Sequence, residues 1–147
     1  MPLAVRAYLT VSVCSEPIEI LFRTALCCTR LDYPSKRVYI LDDGGRREVR
    51  ELAARLGCTY LHRPNRLGAK AGNLNYGLAH SSGELVACFD VDHVPVTSFL
   101  RETVGYFRDP NVALVQTPHT FINPDPFQRN LLLSRHIVNE QDLFYQI

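Results

Sequence analysis

The stretch Leu85-Val86-Ala87-Cys88-Phe89-Asp90-Val91-Asp92-His93 decides the fold. Its near-continuous apolar run is short and reads as a strand buried on both faces. A strand of that kind belongs in a parallel sheet covered by helices. The run ends on two aspartates one residue apart, where a parallel sheet presents ligands.

The flanking sequence supplies the partners. Upstream, Tyr8 to Val13, Arg37 to Leu41 and Cys58 to Leu61 read as strands. Between them Ile18, Leu21, Phe22, Ala25 and Leu26 repeat at helical spacing behind Pro17, whose missing N–H costs little at a helix start. Val49, Leu52, Ala53 and Leu56 mark a second helix, which Gly57 stops, and Lys70 to His80 a third. Downstream, Phe99, Leu100, Val104 and Phe107 form another helical face, Val112 to Val115 reads as a further strand, Gln116 to Pro126 as a loop, and the chain from Phe127 as a helix. Alternating strands and helices predict a doubly wound, mostly parallel α/β sheet flanked by helices.

Composition narrows the function classes. At 147 residues the chain has the length of one domain, and with 46% hydrophobic residues it can bury a core. A formal net charge of +1 supplies no chain-wide basic field for nucleic acid. No apolar stretch has the roughly 18 residues of a membrane span. Cys14, Cys27, Cys28, Cys58 and Cys88 are odd in number and show no Cys-x-x-Cys spacing, so they predict buried free thiols of a reducing compartment, not a disulfide or zinc framework. The sequence lacks a Walker A loop, a Gly-x-Gly-x-x-Gly and a Gly-x-Ser-x-Gly.

The acids collect at strand ends: Glu16 after the first strand, Asp42 and Asp43 after the second, Asp90 and Asp92 after the fourth. In extended backbone, residues two apart project to one side, so Asp90 and Asp92 either flank a hard divalent cation or form a solvated turn. Asp42-Asp43-Gly44-Gly45 is either an Asp-Gly turn or a seat for a base and ribose. Lys70-Ala71-Gly72-Asn73 is either a capped surface helix or a phosphate contact at a helix start. His93 and His119 are each open between a structural and a functional role.

Taken in order, Val38 to Gly44, Lys70 to Asn75, Phe89 to Pro95, Val115 to His119 and Asn123 to Asn130 resemble the family 2 glycosyltransferases of GT-A fold. Within them the similarity is greatest to the catalytic subunits of bacterial cellulose synthases and their processive relatives. The resemblance implies a UDP-sugar donor, UDP-glucose first among them, an Mg²⁺ or Mn²⁺ cofactor, and inverting transfer into a β-linked glucan. It implies that Glu16, Asp42, Asp43, Lys70 and Asp90 contact the donor nucleotide. It makes Asp92, with Asp90, the metal-binding pair.

Two departures accompany it. The family's first-strand motif, usually Tyr-Asn-Glu, reads Cys14-Ser15-Glu16. Its later Thr-Glu-Asp base motif and Gln-x-x-Arg-Trp motif are missing; Asn139-Glu140-Gln141-Asp142 is not the former, and a chain without Trp cannot hold the latter. The expectation is therefore a partial GT-A domain over 1–147, incomplete at the C-terminus, whose catalytic base lies elsewhere. Residues 1–116 would form the nucleotide-sugar-binding half and 117–147 a loop and helix leading into the acceptor half. Leu131, Leu132, Leu133, Ile137, Val138, Leu143, Phe144 and Ile147 would cover a missing half-domain or meet a partner or a membrane. The implied partners are the donor, a growing glycan and a membrane-embedded remainder at the cytoplasmic face of a bacterial inner membrane. The alternatives are a non-catalytic nucleotide-sugar-binding domain and a nucleotidyltransferase consuming a nucleoside triphosphate.

Overall fold

The computed structural model describes residues 6–120. The chain divides into two compact units, Met1–Asp109 and Pro110–Ile147. The first runs β1 (Ala7–Val13), α1 (Ile18–Thr29), β2 (Lys36–Asp42), α2 (Arg47–Leu56), β3 (Thr59–Leu61), α3 (Ala69–Ala79), β4 (Leu85–Asp90), α4 (Phe99–Thr103) and a 3₁₀ turn (Val104–Arg108). Four parallel strands stand in the order β3-β2-β1-β4. The order reverses between β1 and β4, the switch point beside which open parallel sheets bind ligands.

The period-2 pattern of β1 explains the two layers. Ala7, Leu9, Val11 and Val13 face the larger core with Leu21, Ala25 and Cys28 of α1, Val49, Leu52 and Ala53 of α2, and Leu100 of α4. Tyr8 faces the other side and packs with Tyr39 and Leu41 of β2 and with Leu74 of α3. The buried stripe of α1 (Leu21, Thr24, Ala25, Cys28) follows the three-and-four spacing of a helix lying on a sheet. Gly57 closes α2 with φ 68°, which a residue without Cβ adopts freely.

The structure corrects the sequence reading in four places. β4 is an edge strand among the described residues, with Val86 and Cys88 exposed, and is not buried on both faces. Val112 to Val115 forms no strand. Leu114 is exposed there, and a short β-branched run gains ladder hydrogen bonds only beside a partner strand, which the described residues do not give it. The helix of Phe99 to Phe107 tightens into a 3₁₀ turn after Thr103. The cysteines are all free, yet only Cys28 is fully buried, while Cys14 and Cys88 are exposed. Burial pushes the Cys28 thiol up to about 12 and Cys58 up to about 11, so neither is a nucleophile at neutral pH. The expected helix from Phe127 and its apolar residues lie outside the described residues.

Candidate functional site

The carboxyl ends of β1 and β4 open onto a cleft of about 260 Å³ lined by Ser12, Glu16, Lys70, Asp90, Val91 and Asp92. Four residues expected at the site from sequence, Glu16, Lys70, Asp90 and Asp92, therefore meet on one surface. A larger hollow of about 330 Å³ between α1 and α2 has an apolar floor of Ile18, Phe22 and Leu52. Its rim carries Glu19, Glu48, Glu51 and Arg55, of which Glu48 and Glu51 pair with Arg46 and Arg47.

The acidic pair is not held by extended backbone, as the pattern suggested. β4 ends at Asp90, and the chain turns at Val91 and Asp92, with the His93 amide donating to the Asp90 carbonyl at 3.0 Å. The turn is pinned from inside. Val91 sits in the core, and the buried Thr24 hydroxyl of α1 donates to the Val91 carbonyl at 2.6 Å. Ligand atoms of Asp90, Asp92 and His93 then lie within 4.8 Å of one another. Two carboxylates and an imidazole form an oxygen-and-nitrogen donor set that suits a divalent cation such as Mn²⁺ or Mg²⁺. The Lys70 ammonium pairs with Asp90, and His93 Nε2 stands 3.9 Å from an Asp92 oxygen.

Glu16 caps its own turn, accepting from the amides of Cys14 at 2.7 Å and Ser15 at 3.1 Å. The Cys14 bond is the chief cause of its lowered pKa; burial acts the other way, and Arg46 adds a weaker attraction. Arg46 also donates to the Glu16 carbonyl at 2.8 Å, tying the end of β1 to that of β2.

Asp42 and Asp43 are placed differently. Asp42 is wholly buried. Its carboxylate accepts from the amides of Gly44 at 2.8 Å and Arg46 at 2.6 Å and from the Tyr60 hydroxyl at 3.0 Å. Asp43 takes a two-pronged ion pair from the buried Arg63, at 2.5 and 2.7 Å. Two further Arg63 N–H groups donate to the carbonyls of Leu67 and Ala69, at 2.6 and 2.7 Å. Arg66 Nε donates to the Asp43 carbonyl at 2.8 Å.

This clamp shapes the loop that delivers Lys70. Gly68 (φ 75°) and Ala69 (φ 44°) lie in the left-handed region, which costs a residue with a Cβ free energy. Gly72 allows the close approach, because a Cβ there would stand 2.0 Å from the Leu67 carbonyl oxygen and 2.4 Å from Arg63 Nη1. Thr24, Arg63 and Arg66 went unread in the sequence. Thr24 looks like an ordinary helix residue, and the segment from Arg63 to Gly68 looks like a polar loop. A guanidinium just beyond a strand that neighbours an Asp-Asp turn was the one available signal.

The parallel sheet flanked by helices has the GT-A fold of glycosyltransferases, and the comparisons with known proteins give the family. The sequence pattern of glycosyl transferase family 2 matches residues 11–146, and the chain belongs to that family. It is 45% identical over 134 residues to the cellulose synthase catalytic subunit (UDP-forming) of Pseudomonas fluorescens, covering 89% of this chain and 18% of that one. It is 46% identical over 136 residues to cellulose synthase 1 of Komagataeibacter xylinus, covering 90% and 9%. The chain thus spans less than a fifth of the length of these relatives. Among solved structures, a mannosyltransferase from Pyrobaculum calidifontis in complex with GDP-Man and Mn²⁺ superposes with TM-score 0.68 at 24% identity, over 80% of this chain and 37% of that one. Glucosyl-3-phosphoglycerate synthase from Mycobacterium tuberculosis, in complex with Mn²⁺, UDP and glucosyl-3-phosphoglycerate, superposes with TM-score 0.56 at 21% identity, over 71% and 40%. Both share the GT-A fold with this chain. No helix among the described residues is long and apolar enough to cross a membrane.

Proposed function

We propose that this chain is the donor-binding part of a cellulose synthase-like glycosyltransferase, taking a UDP-sugar and building a β-linked glucan with inversion. UDP-glucose is the first donor to test, because the most similar relatives reported above are cellulose synthases. The observation that carries the reading is the convergence of Asp90, Asp92 and His93 ligand atoms within 4.8 Å, in a turn flanking the cleft that Glu16 and Lys70 also line. Asp92 and Asp90 would hold Mg²⁺ or Mn²⁺, and a cation so placed offsets the charge of a departing diphosphate. Both superposed enzymes contain Mn²⁺ with a nucleotide or nucleotide sugar.

Lys70, in the first turn of α3, would reach the diphosphate as a point charge. Glu16 would border the nucleotide. Asp42 and Asp43, as the resemblance assigns them, would form the wall behind uracil and ribose. An acceptor hydroxyl attacks only as a base takes its proton. That base would come from the acceptor half of a longer chain, together with a membrane-embedded remainder at the cytoplasmic face of a bacterial inner membrane. Alone, the 147-residue chain would bind donor and metal without polymerising.

The test is calorimetric titration of UDP into the chain with and without Mn²⁺, beside Asp92→Ala. The expected result is binding that needs Mn²⁺ and is lost in Asp92→Ala. Binding indifferent to Mn²⁺ in a folded chain would overturn the metal-dependent reading.

A further inference from the structure

The cleft holds three acids, Glu16, Asp90 and Asp92, against one cation, Lys70. Lys70 does not stand back from the acidic pair. Its ammonium is on Asp90, the same carboxylate assigned above to the metal. Its side chain is 57% exposed, so the long stem is free to swing. Its backbone is not free. The Arg63 clamp and the Gly68-Ala69 kink fix where α3 begins.

An ammonium and a divalent cation that share a carboxylate compete for it and repel one another. A diphosphate bound next to the cation reverses the balance, because it offers Lys70 a stronger anionic partner. We propose that Lys70 is an exchangeable counter-ion: it neutralises Asp90 in the empty site and moves to the diphosphate as donor binds, coupling cation binding to nucleotide binding. This role rests on the donor-site reading above. Two consequences follow from linkage. The cation alone binds more weakly than the bare donor set would allow, and cation and nucleotide strengthen each other's binding reciprocally.

The experiment is Mn²⁺ titration of the 147-residue chain without nucleotide, then UDP titration at saturating Mn²⁺, for wild type, Lys70→Met and Asp92→Ala. Lys70→Met is expected to bind Mn²⁺ alone about two- to fivefold more tightly, the size of an exposed ion pair removed. It is expected to bind UDP at least about tenfold more weakly, from loss of a charge-assisted phosphate contact. Opposite signs in one variant are not the signature of a misfolded site. Lys70→Gln and the melting temperature of each variant check that point. Weakened or unchanged Mn²⁺ binding in Lys70→Met overturns the counter-ion role, and an unchanged UDP affinity overturns the transfer. If instead Asp92→Ala matches wild type, or wild type binds no Mn²⁺ even with UDP, the donor-site reading itself falls.

Discussion

β2 and β4 each run out onto two aspartates, yet Asp42 is wholly buried while the Asp92 side chain is 71% exposed. The difference lies in what surrounds each turn. At the end of β2, protein groups take up both carboxylates: amides and a tyrosine hydroxyl for Asp42, a guanidinium for Asp43. At the end of β4, protein groups hold the backbone, through Thr24 and the buried Val91, and leave the carboxylates at the cleft. One acidic turn is built around its side chains and the other around its main chain. The first arrangement makes a rigid wall and loop clamp. The second leaves both carboxylates at the cleft, Asp90 paired with the exposed Lys70 and Asp92 beside His93.

Charge removal is the strongest way to break this comparison. Arg63→Ala strips the buried Asp43 carboxylate of its ion-pair partner and frees the carbonyls of Leu67 and Ala69. The melting temperature should fall by roughly 10 °C, in line with breaking a buried pair. Asp92→Ala removes an exposed charge from a like-charged cluster, so its melting temperature should stay within about 2 °C of wild type. Thermal melts of the two variants side by side measure the contrast. Equal losses would mean that the β4 turn is as deeply built in as the β2 turn.

Thr24→Val sharpens the comparison at the open end. The swap keeps shape and deletes the donor to the Val91 carbonyl. It should cost about 1 kcal/mol in denaturant unfolding. Mn²⁺ affinity should drop with it, because the turn that sets Asp90 and Asp92 loses its inner pin. Thr24→Ser, which restores the hydroxyl but loses a buried methyl, should recover the Mn²⁺ affinity without the full stability. An unchanged Mn²⁺ affinity in Thr24→Val would show that the ladder bonds of β4 and the packing of Val91 fix the turn by themselves.

The same contrast explains what the sequence disclosed. Strand and helix placement followed from local pattern, because the α1 stripe answers to one core and β1 alternates between two. The acids at the strand ends were also legible, since a parallel sheet puts its carboxyl ends on one side. Whether such an acid is spent or free was not. Neither Asp42-Asp43 nor Asp90-Val91-Asp92 shows by local sequence whether protein groups take up its carboxylates. Arg63, twenty residues from Asp43, and Thr24, sixty-seven from Val91, decide the matter through contacts that no local spacing encodes. β4 misled for a related reason. Its apolar text matches a strand covered on both sides, yet Val86 and Cys88 are exposed.

The smallest effect belongs to Glu16, which joins the two strand ends through Arg46. Its pKa is lowered in the folded chain, first by the Cys14 amide, so the ionised form favours folding. A depressed carboxylate contributes stability that is fully present above its unfolded value, here 4.5, and that disappears as pH falls through the folded value. Solvent screening at this half-buried site keeps the contribution small. Glu16→Gln should therefore melt slightly below wild type at pH 7, and the gap should close as pH falls below 4.5 and through the folded value. A gap that does not narrow as the pH falls below 4.5 would mean that Glu16 acts by hydrogen-bond geometry and not by charge. The β1 end would then belong with the closed turn of β2, and the open, charge-displaying region would shrink to β4 and Lys70.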